Sequence, residues 1–492
     1  MSNFDIDSQK NYEDIYGHTY TTDSEPQVKE GGRGFIVRTT EPDIALKIIT
    51  DPNTNTIVTD DRNNEKYIDL RILPIPDKLP VALPQFALKG VEGYAMMLPN
   101  DMCEFAEAFA LDEQYYWSAL QTVEPDPLLK FFAHNPEFQS PDQYARIYAY
   151  MKTGGLRRRL AAYMKAAAIL TRLHTAGLVF CDFSDRNAFV SSDQNHDHVL
   201  FVDADNLNYS ELIASGFYTP GFGAPEIMRG EGICSFYSDC FSFATALFQT
   251  VLNWHPFDGK AYRTALGTNS EEAEQLKDCG GFAWILNDED DSNDGRNFLI
   301  LSDELLLTDG LRELFRQTFC GDACRHPILR PTMLQWVYET AFALDNVIRA
   351  ESCGSDYSAA AEHFADCPYD GATVSAIRLK SYLLDDNDLK SAELWQFTHE
   401  TVASKLNVPM RILNGFKCRE IDALAFSLQF EGGKILLQTE TADYAFSYKD
   451  GADGAESQFR SYGGFCFAER RFSIKCRHNK TGRRVLIEGE FG

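Results

Sequence analysis

The sequence lacks any run of about 20 consecutive apolar residues, the length that a helix needs to cross a membrane. Residues 1–27 are polar and acidic, and they lack the basic start and the apolar stretch of a signal peptide. Internal repeats and low-complexity segments are also missing. These absences predict a cytoplasmic protein that has no membrane partner.

Basic residues are scarce relative to acidic ones. The chain has 46 lysines and arginines against 73 aspartates and glutamates, which gives a formal net charge of −27. Because a surface of this sign repels polyanions, we do not expect nucleic-acid binding through a general basic surface. A nucleotide could still bind where local cations, backbone N–H groups and metal ions outweigh the global charge. The 12 cysteines are scattered, which in a reducing compartment predicts thiols rather than a disulfide framework.

Apolar residues, in contrast, are plentiful: they make up 44% of 492 residues, enough for a sizeable core in two to four domains. Two apolar runs around a polar turn predict a β-hairpin over residues 31–49, and strand-like pieces continue to residue 98. From about residue 101 the periodicity is helical. An Ala/Leu-rich stretch predicts a long helix over 156–177, and a second helix over 239–253 is expected to be buried.

The pattern changes again after about residue 350. A short segment carries cysteines and a histidine, and residues 372–492 mix alternating, strand-like runs with one helix-like stretch over 389–406. This part predicts a small α/β or β-rich accessory domain that binds a partner or substrate.

Candidate chemistry is spread over five separated features, each weak alone. The first is a glycine-rich turn of Gly31, Gly32 and Gly34, where backbone N–H groups could approach phosphates without a Cβ in the way. Such turns are common beside strands. The second is Lys47, in the middle of the apolar run IALKII. Its charge is costly to bury unpaired, so it either reaches solvent from a sheet edge or points at phosphates.

The third feature is the stretch GLVFCDFSDRNAFV, in which Asp182 could orient a hydroxyl group or accept its proton. Asn187, five positions on, could offer its side-chain oxygen to Mg²⁺. The fourth is Asp203, which closes an apolar run and could reach a metal ion that bridges phosphates. An aspartate after a strand is more often a turn or helix-cap residue.

The fifth feature is the stretch YTPGFGAPEIM at residues 218–228, followed by Asp239 in the predicted buried helix and by Arg330 before a proline. Glu226 of this stretch and Arg330 could form a buried ion pair. The alternative is that they are two unrelated surface charges.

In this order, the five features resemble the eukaryotic-type protein kinase family, across about residues 25–350. GGRG matches the glycine-rich loop, IALK the strand lysine, FCDFSDRN the catalytic loop, DAD the D-F-G motif and GAPE the A-P-E motif. The resemblance implies an α+β, bilobal fold. Its expected parts are a flexible leader at 1–24, a β-rich N-lobe at 25–100 and a helical C-lobe at 101–350.

The resemblance further implies an enzyme that transfers the γ-phosphoryl group of ATP to a serine or threonine of a protein. The residues expected to carry catalysis are Asp182 for the hydroxyl, Lys47 for the phosphates, and Asn187 and Asp203 for Mg²⁺ or Mn²⁺. The residues expected to bind ATP otherwise are the three glycines and the hinge, Met96, Met97, Leu98 and Pro99. Thr219 is expected to line the substrate groove, with Glu226, Asp239 and Arg330 in supporting roles.

The sequence also departs from the family pattern. Cys181 stands where the family has an arginine that usually contacts a phosphorylated activation loop, which predicts activity not gated by such a phosphate. Ser184 replaces the usual catalytic-loop lysine, and Arg186 is a substitute for its charge. The glutamate expected to pair with Lys47 is Glu65, with Asp69 as second candidate. These departures also fit a pseudokinase scaffold that binds a nucleotide or partners without chemistry.

A third reading is a small-molecule kinase of the aminoglycoside-phosphotransferase type, which shares the catalytic loop and a D-x-D motif. GAPE and Arg330 argue against it.

The motifs VDADN, TPGFGAPE and RPTMLQW, followed by a Cys/His segment at 351–371, resemble a bacterial kinase subgroup more closely. Its members are encoded beside von Willebrand A-type proteins and metal-dependent Ser/Thr phosphatases in tellurite-resistance-type clusters. The resemblance implies a signalling or stress role with such partners. It also implies a zinc-finger-like site, here Cys353, His363, Cys367 and Asp370. Zn²⁺ accepts a carboxylate in place of the last thiolate, but a degenerate finger with buried thiols is the alternative.

Overall fold

The computed structural model describes residues 9–23, 28–31, 34–51, 53–119, 141–213, 216–360, 364–401, 405–431, 434–449, 456–459, 462–466 and 471–492. Within these ranges the protein has an α+β fold. Two of the predicted site residues, Gly32 and His363, lie outside them, as do parts of the predicted leader. In the described part of the chain, no helix is both long and apolar enough to cross a membrane.

The first hundred residues are mainly β-structure. Their elements are β1 (Asn11–Glu13), β2 (Thr19–Thr21), β3 (Val28–Gly31), β4 (Gly34–Arg38), β5 (Ile44–Ile49), α1 (Glu65–Asp69), β6 (Pro84–Ala87) and β7 (Gly93–Met97). Strands β3 to β7 form one antiparallel sheet in the order β3-β4-β5-β7-β6. The predicted hairpin is present as β4 and β5. Successive side chains of these strands point to opposite faces of the sheet, and both faces are covered, so both sets of side chains are mainly apolar.

Residues 11–21 correct the prediction of a flexible leader. Strands β1 and β2 pair with each other, and Tyr20 of β2 is buried against the outer face of the sheet. Its neighbours there include Val37 and Leu46, and its hydroxyl donates to Asp14 at 3.0 Å. An apolar sheet face needs cover, and this hairpin supplies it.

The next 250 residues are mainly helical. Their helices are α2 (Phe105–Ala108), α3 (Gln114–Ala119), α4 (Pro141–Lys152), α5 (Gly155–Thr175), α6 (Pro225–Met228), α7 (Phe236–Leu252), α8 (Lys260–Leu266), α9 (Ser270–Asp278), α10 (Asp303–Leu306), α11 (Asp309–Phe319), α12 (Gly321–Arg325) and α13 (Met333–Leu344). Short strands lie between them: β8 (Met102–Glu104), β9 (Leu178–Val179), β10 (Ala188–Ser191), β11 (Val199–Phe201) and β12 (Asn208–Tyr209).

Helices α5 and α7, which correspond to the two helices predicted over 156–177 and 239–253, form the centre of the helical part. Small and aliphatic residues let α5 bury most of its length. Helix α7 begins at a capping box of Ser235 and Ser238 and ends where Asn253 adopts a left-handed conformation. The two helices therefore fix the position of the loops that run across their ends.

The described residues of the last third of the chain form two large antiparallel sheets, and its first two strands form a separate two-stranded pair. Its elements are β13 (Val347–Arg349), β14 (Asp356–Ser358), β15 (Ala376–Leu384), β16 (Lys390–Glu400), β17 (Leu406–Pro409), α14 (Arg411–Asn414), β18 (Leu424–Glu431), β19 (Lys434–Thr439), β20 (Tyr444–Lys449), β21 (Glu456–Phe459), β22 (Tyr462–Cys466), β23 (Arg471–His478) and β24 (Arg484–Phe491). The larger sheet has the order β16-β15-β24-β23-β20-β21, and the smaller has β17-β18-β19-β22. This part of the chain is β-rich.

The predicted helix-like stretch at 389–406 is wrong, because most of it is strand β16. Trp395 and Phe397 alternate with Gln396 and Thr398, and all four are buried. The side chains of Gln396 and Thr398 donate hydrogen bonds to Asn346 Oδ1 at 2.8 and 2.7 Å. Because both faces of β16 are covered, its polar residues are inside as well as its apolar ones.

The two sheets pack directly on the helical part rather than forming a separate body. Buried side chains from α13, β16 and β24 belong to one continuous hydrophobic core. Asp345, just after α13, forms a buried ion pair with Arg411 of α14 and accepts a hydrogen bond from Trp395 Nε1 at 2.7 Å. Arg157 of α5 binds Glu400 of β16 at 2.7 and 2.8 Å. Because buried charges must stay paired, these two ion pairs fix the position of the sheets relative to the helical part.

This interface is expected to lose stability in mild acid. Burial and the nearby charge of Arg157 lower the pKa of His399 to about 4, from an ordinary 6.5, against smaller opposing effects of Glu400 and Asp356. A folded-state pKa below the unfolded value means that stability is present above pH 6.5 and is lost as pH falls towards 4. We expect a loss of about 2 kcal/mol between pH 7 and pH 5 in urea unfolding.

The matched variant is His399→Gln, which removes the titrating group. Its free energy of unfolding should change less between pH 7 and pH 5 than that of the wild type. Glu400 does not interfere in this window: its pKa is lowered to about 2 because the hydrogen bond and charge of Arg157 outweigh the effect of burial. Equal pH slopes in the two proteins would contradict the assignment.

Candidate functional site

Lys47 occupies the middle of β5, and its side chain is only 4% exposed. The Nζ atom lies 2.6 and 2.8 Å from the two carboxylate oxygens of Asp203. Asp203 follows β11 with a left-handed backbone conformation, at φ 63° and ψ 43°. A lysine cannot be buried cheaply without a counter-charge, and this carboxylate supplies one. The pair joins the N-terminal sheet to the helical part.

A second carboxylate, Asp205, lies beside this pair. Burial, together with the charge of Asp203, raises the pKa of Asp205 to about 7. Burial alone would lower the pKa of Lys47, but the charges of Asp203, Asp205 and Asp182 raise it. The charges of three carboxylates therefore act on one ammonium group.

Asp239, a buried residue in the first turn of α7, holds the loop that carries Asp182. The backbone N–H groups of Phe180 and Cys181 donate to the Asp239 carboxylate at 2.8 and 2.9 Å. The Nε2 atom of His174 lies 3.0 Å from the same carboxylate. Cys181 has a φ of 74°, so the backbone turns sharply just before Asp182.

Two side chains position Asp182 itself. Thr219 donates its hydroxyl hydrogen to Asp182 Oδ1 at 2.7 Å. Asn187 donates from Nδ2 to the carbonyl oxygen of Asp182 at 2.8 Å, and the carbonyl oxygen of Asn187 accepts from the N–H of Val202 at 2.9 Å. The loop is thus tied to the segment that leads directly to Asp203.

Glu226 and Arg330 form a bidentate ion pair at 2.8 and 2.7 Å. The Arg330 side chain is fully buried, and it also donates to the carbonyl oxygen of Tyr237 at 3.0 Å. The pair connects α6 to the segment before α13. Because Thr219 precedes α6 by a few residues, this pair supports the segment that contacts Asp182.

The predicted hinge, at the end of β7, uses its own backbone donors internally. The N–H groups of Leu98 and Asn100 donate to the backbone and side-chain oxygens of Asp43 at 2.8 and 3.0 Å. Pro99 has no N–H. Arg38, on the same sheet face as Lys47, donates to carbonyl oxygens of this segment, that of Pro99 at 3.0 Å among them. The N–H groups of Leu98 and Asn100 are therefore not free for a nucleobase.

The glycine-rich turn has a packing reason of its own. Gly31 pairs with Gly34 across the β3–β4 hairpin, and Gly34 has a φ of 137°. A Cβ atom at Gly34 would lie 2.1 Å from the carbonyl oxygen of Ile48. The close approach of β4 to β5 therefore requires glycine at position 34, whether or not phosphate binds.

The structure does not bring Glu65 to Lys47. Glu65 and Asp69 are exposed on α1, a helix of five residues. Lys66 and the hydroxyl of Tyr67 instead reach Glu92, at 3.0 and 3.3 Å. Tyr67 is on the buried face of α1 and the two acidic residues are on the exposed face, so Asp203 takes the place predicted for Glu65.

Ser184 and Arg186, the two catalytic-loop residues that stand in place of the family's lysine, differ in their exposure to solvent. Ser184 is fully buried, and its hydroxyl has no partner among the described residues. Arg186 is exposed.

Two residues near the site, Asp205 and Arg38, are not predicted from the sequence. The second aspartate of DAD was a visible signal for Asp205, and an arginine at the end of an apolar strand was one for Arg38.

The Cys/His segment places three of its predicted ligands together. The sulfur atoms of Cys353 and Cys367 are buried and 3.6 Å apart. Together with a carboxylate oxygen of Asp370, all three atoms lie within 4.8 Å of one another. The hydrogen bond with Cys367 lowers the pKa of Cys353 to about 7. A thiol of this kind is a good metal ligand or nucleophile.

These elements define the class of the protein. A five-stranded antiparallel sheet carries a buried lysine, and a helical part carries an Asp…Asn loop and a following aspartate that the lysine contacts. The described chain therefore has an α+β, kinase-like fold.

Comparison with known proteins adds little to this class. No family model and no curated protein matches the chain. Among solved structures, the kinase domain of a Toxoplasma gondii specific rhoptry antigen matches with a TM-score of 0.37 and 11% identity, over 67% of this chain and 82% of that one. ROP2 from Toxoplasma gondii, described as a virulence factor with a protein-kinase fold and no enzymatic activity, matches with a TM-score of 0.36 and 14% identity, over 67% and 81%. Similarities this weak say nothing about function.

Proposed function

We propose that this protein is a Mg²⁺- and ATP-dependent kinase that transfers the γ-phosphoryl group to a serine or threonine hydroxyl of a protein. The observation that carries the proposal is the contact of Lys47 with Asp203 beside Asp182, which Thr219 holds in place. Phosphoryl transfer depends mainly on positioning and on neutralising charge, and these side chains can do both.

Each residue has a defined task in this proposal. Asp182 orients the hydroxyl and accepts its proton, while Thr219 fixes the carboxylate. Lys47 would turn from Asp203 towards the phosphates once a nucleotide enters. Asn187 and Asp203 would hold Mg²⁺, with Asp205 next to them, because amide and carboxylate oxygens are the ligands this ion prefers. When bound, Mg²⁺ would neutralise charge on the phosphates.

The test is transfer of radiolabel from γ-labelled ATP to the full-length chain or to a generic protein substrate. We expect incorporation in the presence of Mg²⁺ or Mn²⁺ and none when both are removed with a chelator. Product analysis by mass spectrometry must show phosphoserine or phosphothreonine. No incorporation above the chelator control, over several substrates, would exclude the proposal.

The second candidate function is a nucleotide-binding scaffold without transfer. Two observations favour the absence of transfer: Ser184 replaces the family's lysine, and Lys47 already neutralises Asp203. Such a scaffold would bind nucleotide in calorimetry yet give no labelled product. The labelling experiment and a binding titration therefore separate the two candidates.

The hinge predicts poor discrimination between ATP and GTP. Because Pro99 lacks an N–H and neighbouring N–H groups are used within the protein, adenine loses the donor that would favour it over guanine. We expect dissociation constants for the two nucleotides within about tenfold of each other, since one neutral hydrogen bond contributes about 0.5–1.5 kcal/mol. Isothermal titration calorimetry measures both values.

The variant Pro99→Ala supplies an N–H at the hinge. It should strengthen ATP binding by about 3- to 10-fold and leave GTP binding unchanged. A wild-type protein that already prefers ATP by about 100-fold would refute the argument.

The resemblance of the sequence to bacterial kinases adds a proposed setting: signalling or stress response with a von Willebrand A-type protein and a Ser/Thr phosphatase as partners. It also adds a proposed structural Zn²⁺ held by Cys353, Cys367 and Asp370, with His363 as fourth ligand. The two thiols and the carboxylate suit zinc in number and type. Elemental analysis should find one zinc per chain, lost in Cys353→Ser, and a metal-free wild type would exclude the site.

A further inference from the structure

A cavity of about 1120 Å³ lies between the helical part of the chain and residues 418–422, the segment that connects α14 to β18. This volume is slightly above the usual range for small-ligand pockets, roughly 300–1000 Å³. The side chains proposed for phosphoryl transfer do not line it. Its walls come from residues 76–80, 99–102, 165–176, 198–200 and 418–422, and from the start of α13.

One part of the cavity wall is aliphatic. Ile169 of α5, Leu200 of β11 and Ile421 face it, together with Leu334 in the first turn of α13. Leu334 is 50% exposed, so a large apolar side chain is left open to this space. No Phe, Tyr or Trp is among the described lining residues, and the one aromatic ring there is the imidazole of His198. The wall suits an alkyl group better than a nucleobase, which favours stacking on aromatic rings.

The other part of the wall is cationic. Arg172 of α5 and Arg419, in the segment before β18, both line the cavity together with Cys418. Arg172 gives one N–H to the carbonyl oxygen of Asp77 at 2.9 Å, and a guanidinium group has four more.

The remaining charges of the wall leave a positive surplus. Lys78 and Lys165 are the other lining cations, and Asp101 and Asp422 are the lining acids. Lys165 is shared between Asp422 at 3.3 Å and Asp197, outside the lining, at 2.7 Å. Four cations against these three acids still leave one positive charge. Such a surplus stands out in a chain with a net charge of −27. It would attract an anion against the general field of the protein.

We propose that this cavity binds a small amphipathic anion, a phosphate or carboxylate group carried on an aliphatic body. Arg172 and Arg419 bind the oxyanion, for which guanidinium groups have a matching geometry. The aliphatic body covers Ile169, Leu334 and Ile421 and removes their apolar surface from water. The ligand bridges α5 and the segment that connects α14 to β18, so its binding stabilises the folded chain.

The test uses the full-length protein and decyl phosphate, below the concentration at which this probe aggregates. We expect saturable binding in calorimetry and a rise in unfolding temperature. Decanol and inorganic phosphate each lack one half of the ligand and should bind at least about tenfold more weakly. The variant Arg419→Glu should weaken decyl phosphate binding by about tenfold or more. The matched control is Arg325→Glu, an exposed arginine outside the cavity, which should bind like the wild type.

Because Arg419 is exposed, Arg419→Glu is expected to fold normally, and its unfolding temperature without ligand checks this. Leu334→Asp tests the aliphatic wall separately and should also weaken binding. Decanol binding as tight as decyl phosphate, or no effect of Arg419→Glu, would overturn the proposal. Binding to vesicles of anionic phospholipid without binding of free decyl phosphate would also overturn it, since a membrane surface would then be the partner.

Discussion

Replacing Asp182 by asparagine is expected to lower the rate of phosphoryl transfer by about 10²–10⁴-fold, the usual contribution of a positioned acid–base group. Asparagine has the same shape, and its side-chain oxygen can still accept the hydrogen bond that Thr219 donates at 2.7 Å. It cannot accept a proton from the attacking hydroxyl. The measurement is the initial rate of radiolabel transfer at saturating ATP and Mg²⁺.

The control for this experiment is Asp193→Asn, an exposed aspartate in the turn after β10. It should transfer label at the wild-type rate. Both variants should unfold at the wild-type temperature, because neither change leaves a buried charge unpaired. If Asp182→Asn kept the wild-type rate, the general-base role would be refuted and another residue would have to supply it.

Replacing Lys47 by methionine is expected to reduce the free energy of unfolding by about 3–5 kcal/mol in the absence of metal, as when one partner of a buried ion pair is removed. The methionine fills similar space, but Asp203 and Asp205 then face each other without the ammonium group. Added Mg²⁺ should recover part of this loss, since a divalent cation can take the place of the lysine charge. Urea unfolding with and without Mg²⁺ measures both effects.

The matched control for this variant is Lys89→Met. Lys89 binds Glu13 at 3.2 Å, but its side chain is 62% exposed, and exposed pairs contribute at most about 1 kcal/mol. We expect a small change there that Mg²⁺ does not affect. A Lys47→Met protein as stable as the wild type would mean that the two aspartates share protons or other partners and do not depend on the lysine.

The sequence predicted the parts of the fold that depend on local periodicity. The β4–β5 hairpin and helices α5 and α7 follow from regular apolar spacing, so their signals lie within a few residues. It also named the residues that meet around Asp182, because the family resemblance orders motifs that are far apart in the chain. Their proposed chemical roles remain predictions.

What the sequence did not predict depends on packing between distant segments. Glu65 and Asp69 lie on the exposed face of α1, and the tertiary packing that turns this face away from Lys47 is not visible in the sequence. Strand β16 begins with helix-forming residues, and only its cover on both faces makes it a strand. Tyr20 looks like part of a polar leader until the bare outer face of the N-terminal sheet is known.

The central position of β24 has a consequence for synthesis on the ribosome. In the larger sheet β24 lies between β15 and β23, yet it is made about 100 residues after the end of β15. At about 5–20 residues per second, translation of that interval takes roughly 5–20 s. During this time one edge of β15 offers unpaired backbone groups to any passing strand. The nascent chain is therefore expected to need chaperone cover at this edge, and slow translation would increase its exposure to aggregation.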